Sequence, residues 1–173
     1  MRPLQSIAMG LVIVALRAPL AGGYDALPDP LGWLLVIVGV RGLPADLPRR
    51  SQVVTLAWLA AVVSVPLWFP AVTDGAYATH PSLGWALNLP QLGFAALLCH
   101  SLATGAVAAE DRKAASWLRT AMAGFVVVAV LPVVVFGAGV ASLELTAYVG
   151  ATLVLITLIW LLFAYSARPW AVE

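Results

Sequence analysis

The sequence predicts an all-α protein, a polytopic membrane helix bundle with six transmembrane helices. Of its 173 residues, 62% are hydrophobic and only 10% are charged, and the mean hydropathy is +0.99. Soluble domains are about half apolar and a quarter charged. The apolar residues form six runs separated by polar connections. No run alternates apolar and polar residues as the strands of a membrane barrel do, so the predicted spans are helical.

The six predicted helices follow one another with short connections. A helix needs about 20 residues to cross the hydrocarbon layer; four runs reach that length, whereas the first is borderline and the second is short. The predicted helices cover residues 4–22, 30–43, 52–70, 82–106, 118–140 and 145–165. We expect them to form one integral membrane domain over residues 1–173, without a separate soluble domain. The alternative for the first run is a cleaved signal peptide, which Arg17 and Pro19 disfavour at the cleavage site.

The basic residues predict the orientation of the chain. Lys and Arg residues precede the first apolar run and follow the sixth run. They also lie between the second and third runs and between the fourth and fifth runs. The other connections carry acidic residues and His80, and their basic residue is Arg17 at the end of the first run. Since basic residues are retained on the cytoplasmic side, both termini are predicted to be cytoplasmic. Arg outnumbers Lys by eight to one, which is typical of a GC-rich bacterial genome, so the expected location is a bacterial inner (plasma) membrane.

The second predicted helix indicates a recess on the outer side. From Pro30 to Arg41 is about 16 Å of helix, against a hydrocarbon layer of about 30 Å. Arg17 likewise lies short of the outer surface, so the connection between the first two helices is expected to dip into the membrane and to face water. The predicted binding residues are Arg17, Asp25 and Asp29 on the floor of this recess, and Asp74, His80 and Glu144 at its rim. The structural alternative is that Arg17 pairs with Asp25 or Asp29 and only holds the hairpin together.

Two segments that open predicted helices are similar to each other. Residues 29–33 read DPLGW and residues 80–85 read HPSLGW, which favours a bundle built from repeated helix hairpins. The alternative is that Pro, Gly and Trp are common at the ends of membrane helices. Trp33 is predicted at the membrane interface, whereas Trp58 and Trp160 are predicted to pack between helices.

The segment 27–35, LPDPLGWLL, resembles a hairpin of small, uncharacterised bacterial multi-pass membrane proteins, in which a P-D-x-x-G-aromatic run opens a transmembrane helix. The likeness covers about the first quarter of the chain, and it implies a membrane hairpin without a known activity. The size and the six-helix plan are also similar to substrate-binding subunits of energy-coupling-factor transporters. That second likeness is one of architecture, so it implies no site residue.

Three function classes remain open. The first is a membrane protein that handles a small solute or an ion through the outward-facing recess, and the second is an accessory or assembly subunit of a larger membrane complex. An intramembrane enzyme ranks last because no nucleophile–base pair or hydrolase or nucleotide motif is visible. We expect no cofactor and no metal, since the single cysteine excludes a thiolate-rich site. The expected partners are membrane lipid and other membrane subunits; a net charge of +1 gives no electrostatic reason to expect nucleic acid.

Overall fold

The computed structural model describes residues 2–16, 18, 26–79, 81–138 and 144–171, and only the backbone at 74, 76–79, 81, 135–138 and 144. All regular secondary structure in these ranges is helical, as predicted, with seven α-helices and a short 3₁₀ helix. The α-helices are α1 (Pro3–Ala15), α2 (Asp29–Arg41), α3 (Arg50–Leu67), α4 (Pro70–Thr79), α5 (Pro81–Ala108), α6 (Arg112–Ala138) and α7 (Glu144–Tyr165), and the 3₁₀ helix is Pro169–Ala171.

Four of the described helices, α3, α5, α6 and α7, are long and apolar enough to cross a membrane. Helices α1 and α2 have 13 residues each, or about 20 Å, which is less than the hydrocarbon thickness. The first predicted helix, 4–22, is thus too long, because Leu16 already has an extended conformation. Pro19 limits any continuation, since it has no N–H to donate to the Ala15 carbonyl.

Helix α4 was not predicted from the sequence, which placed one helix over 52–70 and a connection after it. In the structure α3 ends at Leu67, and Pro70 opens a separate helix, a position where the missing N–H of proline costs nothing. The Thr73 hydroxyl donates to the Leu67 carbonyl at 2.5 Å, which ties α4 to the end of α3. Helix α6 also begins earlier than the predicted 118–140, because Asp111 caps it: the Ala114 N–H donates to the Asp111 carboxylate at 3.1 Å.

The helices form a closed ring in the order α1, α2, α3, α5, α6, α7, with α7 packed against α1 and α4 packed against α3 and α5. The ring is filled by apolar side chains. Trp33 of α2 and Phe94 of α5, both fully buried, meet edge to face with their centroids 5.2 Å apart. The same core contains buried leucines of α5, α6 and α7, namely Leu98, Leu102, Leu118, Leu158, Leu161 and Leu162. The described interior is therefore a packed core without a polar passage.

The basic residues collect at one end of the ring. The Arg50 guanidinium, at the start of α3, donates to the Val40 carbonyl at 3.4 Å and to the Arg41 carbonyl, so it caps the last turn of α2. At the same end, Leu47 packs against Gly105 near the end of α5, and the residues that follow α7 contact Asp111. Of the nine Lys and Arg residues, eight lie within about two turns of this end. The ninth, Arg17, lies outside the described residues.

Candidate functional site

The short α1–α2 hairpin places a step at the end of the bundle opposite the basic residues. Helices α5, α6 and α7 have 28, 27 and 22 residues, or about 42, 40 and 33 Å. They share the basic end with α2, which extends only about 20 Å from it. The ends of α1 and α2 far from the basic residues thus lie roughly 7 Å short of the end of the adjacent α3 and roughly 13 Å short of the end of the adjacent α7. The predicted recess would lie at this step, and it stays a prediction.

The floor of the predicted recess would be the junction between α1 and α2. The Ala26 N–H donates to the Ala18 carbonyl at 2.9 Å, so the described residues on either side of the 19–25 connection are in contact. Below them, a Cβ added at Gly10 would lie 2.5 Å from the Gly32 carbonyl oxygen. The two backbones are in direct contact there, and this contact holds the floor in place.

The structure describes three of the six predicted site positions. Asp29 is the first residue of α2, Asp74 lies in α4, and Glu144 is the first residue of α7; the side chains of Asp74 and Glu144 are outside the described part. Arg17, Asp25 and His80 lie outside the described residues altogether. The grouping of the six side chains into one site therefore stays a prediction.

The local structure explains the position of Asp29. Pro28 has an extended conformation and occupies the N-cap position, and its carbonyl accepts hydrogen bonds from Leu31 at 2.9 Å and Gly32 at 3.4 Å. Asp29 lies one position later, in the first helical turn. A carboxylate there is stabilised by the positive end of the helix dipole.

Two polar side chains in the outer half of α5 bond to backbone carbonyls. The Trp85 indole N–H donates to the Ala129 carbonyl of α6 at 3.1 Å. Ala129 lies in the turn before Pro132, where the helix is weakened because proline has no backbone N–H to donate. The Asn88 amide donates to the Gly84 carbonyl of its own helix at 2.8 Å. Trp85 thus links α5 to α6 near the outer end of the bundle.

A second polar cluster, which the sequence did not reveal, lies at the basic end around Asp111. Its carboxylate accepts hydrogen bonds from the Ala114 N–H at 3.1 Å and from the Trp170 indole at 3.3 Å, and lies 3.6 Å from Arg168 Nε. The Ala114 hydrogen bond is the main cause that lowers the pKa of Asp111 below its ordinary value of 3.8; Trp170, Arg168 and Lys113 add to it, and burial opposes it. The cluster fixes the chain after α7 to the α5–α6 turn. Asp111 just before a helix was the available signal for the cap.

Metal-ligating side chains do not converge in the described ranges, where no three His, Cys, Asp or Glu residues lie in an arrangement that could hold an ion. Cys99 is fully buried in α5.

No protein-family model matches this chain. The comparison with curated proteins finds no match, and neither does the comparison with solved structures.

Proposed function

We propose that this chain is a multi-pass protein of a bacterial inner membrane, with its basic end in the cytoplasm, that binds a small solute or an ion in the outer recess. The observation that carries the proposal is the length of the α1–α2 hairpin, whose helices have 13 residues each, against 18 residues in the adjacent α3 and 22 in the adjacent α7. Such a step leaves room for a ligand inside the outer leaflet. Ionisable residues at that depth are costly to keep and are functional candidates by default.

The chemistry of the predicted recess residues divides by charge. Arg17 would bind an anionic group through its guanidinium, which offers five donors in a fixed geometry. Asp25 and Asp29 would bind a cation or a proton. Asp74, His80 and Glu144 would line the rim. The described core is filled with apolar side chains, so the recess is a binding site on one side of the membrane, and passage of a solute would require the helices to move.

A second candidate is an accessory subunit of a larger membrane complex. The observation that favours it is the same filled interior, together with the wide apolar outer faces of α6 and α7, where Val127, Leu153 and Trp160 are each about 60% exposed. In this case the recess charges would serve the fold alone. Recovery of a stoichiometric partner subunit after extraction in mild detergent would favour this candidate.

Thermal unfolding of the detergent-purified protein separates the two candidates. The probes are sodium phosphate, sodium acetate and calcium chloride, each compared with the same ionic strength of an inert salt. If the recess binds an anion or a cation, at least one probe raises the melting temperature of the wild type. Arg17→Ala or Asp29→Asn then removes that rise without lowering the melting temperature measured in the absence of the probe.

The matched controls are Arg2→Ala and Asp46→Asn, which remove the same charges at the basic end and should keep the response to the probe. The structural alternative makes the opposite prediction. Both recess variants would then lower the melting temperature without any probe, and the double exchange Arg17→Asp with Asp29→Arg would partly restore it. That result would overturn the proposed binding function.

A further inference from the structure

The exposed face of α6 changes character along the helix. Its first two turns carry three exposed bases, Arg112, Lys113 and Arg119. The opposite face packs into the bundle through buried residues, namely Ala114, Ala115, Leu118, Ala121 and Phe125. The bases are thus held on one side, towards the surroundings of the protein, by the packing of the other side.

The same exposed face continues as a stripe of valines. Val126, Val127, Val130 and Val134 are 47 to 61% exposed. From Arg119 to Val130 is about 16 Å along the helix, which is close to half of the hydrocarbon thickness of about 30 Å. One face of α6 therefore presents positive charge over one headgroup layer and apolar surface over the length of one acyl chain.

Trp117 lies within the basic part of this face, before Arg119. Its side chain is 46% exposed and lies in the same two turns as the three bases, and tryptophan prefers the headgroup level of a bilayer. The neighbouring acidic residue Asp111 is engaged by Ala114, Trp170 and Arg168. Glu110, one residue before Asp111, is an exposed carboxylate, but the three bases outnumber it, so the net charge at the start of α6 is positive.

We propose that this face of α6 is a binding surface for an anionic phospholipid. The lipid phosphate would contact Arg112, Lys113 and Arg119, and one acyl chain would lie along the valines. The proposal does not depend on the outer recess, which lies at the other end of the bundle. It follows from charge complementarity and from the apolar stripe that continues the basic patch on the same face.

Native mass spectrometry of the full chain in mixed micelles tests this surface. The micelles contain equal amounts of phosphatidylglycerol and phosphatidylcholine with identical acyl chains, and the measurement is the ratio of the two lipids bound. We expect the wild type to retain phosphatidylglycerol preferentially. The triple variant Arg112→Gln, Lys113→Gln, Arg119→Gln should lower this ratio by about fivefold or more, because each base near an anionic headgroup contributes to the attraction.

The matched control removes three bases from the same end outside this face, Arg2→Gln, Arg41→Gln and Arg49→Gln. All six side chains are exposed, so an unchanged melting temperature verifies that both variants fold. If the control lowers the ratio as much as the α6 variant, the attraction belongs to the whole basic end and the assigned surface is wrong. Displacement of the bound lipid by excess glycerol phosphate would also overturn the proposal, since it would show that the acyl chain contributes no contact.

Discussion

Gly10 of α1 and Gly32 of α2 meet backbone against backbone. A Cβ on Gly10 would lie 2.5 Å from the Gly32 carbonyl oxygen, and a Cβ on Gly32 would lie 2.7 Å from the Gly10 carbonyl oxygen. Two turns further along α2, a Cβ on Gly39 would lie 2.8 Å from the backbone nitrogen of Ile7. The two short helices are therefore in contact along their whole length. This close contact stabilises the hairpin.

We expect Gly10→Ala to destabilise the protein by about 1 to 3 kcal/mol, the cost of overpacking a closely fitted interface. The added methyl group would overlap the Gly32 backbone, which cannot rotate away as a side chain could. Chemical denaturation of the detergent-solubilised protein measures this loss as a change in the free energy of unfolding.

Gly150→Ala in α7 is the matched control, because nothing lies within 4 Å of a Cβ at that position. Alanine has a higher helix propensity than glycine, so this variant should be neutral or more stable by up to about 1 kcal/mol. If both variants gave the same change in stability, the contact between α1 and α2 would not be as close as the structure shows.

Trp33→Ala should be among the most destabilising single substitutions in this chain. Its ring is fully buried against Phe94, and truncation of a buried tryptophan costs about 3 to 5 kcal/mol through lost contacts and the cavity left behind. Trp160→Ala, at a position that is 60% exposed, removes the same atoms from the outer surface of α7. We expect its free energy of unfolding to stay near that of the wild type, and equal losses in the two variants would contradict the packing of Trp33.

The tryptophans show what the sequence could and could not predict. Helix positions follow from apolar runs, and α5, α6 and α7 lie close to the predicted ranges. Hydropathy does not distinguish the helix face that points into the bundle from the face that points to lipid, because lipid tails are as apolar as a protein core. Trp33, predicted at the interface, is buried, whereas Trp58 and Trp160, predicted between helices, are 41% and 60% exposed.

The candidate site was predictable to a different extent. The shortness of α2 was visible from the spacing between Pro30 and Arg41, and the structure shows that short helix directly. The contact between Gly10 and Gly32 lies in the same hairpin. The Asp111 cluster was missed, because it joins residues 59 positions apart in the sequence. The α5–α6 turn and the residues after α7 come together only through the closure of the helix ring.

Acidification should weaken the hold of Asp111 on the chain end that follows α7. Because the folded-state pKa of Asp111 is lowered below 3.8, its contribution to stability is fully present above that value and is lost as the pH falls through the lower folded pKa. Asp111→Asn keeps an N-cap acceptor but removes the charge, so its deficit in melting temperature relative to the wild type should be constant above about pH 5 and shrink below about pH 4.

The stronger truncation Asp111→Ala also removes the helix cap, which should cost about 1 kcal/mol at neutral pH. Glu110→Gln removes the adjacent exposed carboxylate and serves as the control, with a melting curve that follows the wild type over the same pH range. A deficit in Asp111→Asn that stayed constant down to pH 2 would show that the charge of Asp111 does not stabilise the fold.

The proposed orientation of the chain predicts which introduced thiols can be labelled from outside the cell. Cys99→Ala removes the single, buried cysteine and gives a background without thiols. Ser51→Cys and Ala109→Cys then place a thiol at exposed positions of the basic end without altering any charge, and Gly75→Cys places one in α4, where space around the α-carbon is open.

Since basic residues are retained in the cytoplasm, a membrane-impermeant maleimide should label Gly75→Cys in intact cells, and the other two only after the membrane is opened. Labelling of Ser51→Cys or Ala109→Cys in intact cells would place the basic end outside, and the proposed recess would then open to the cytoplasm.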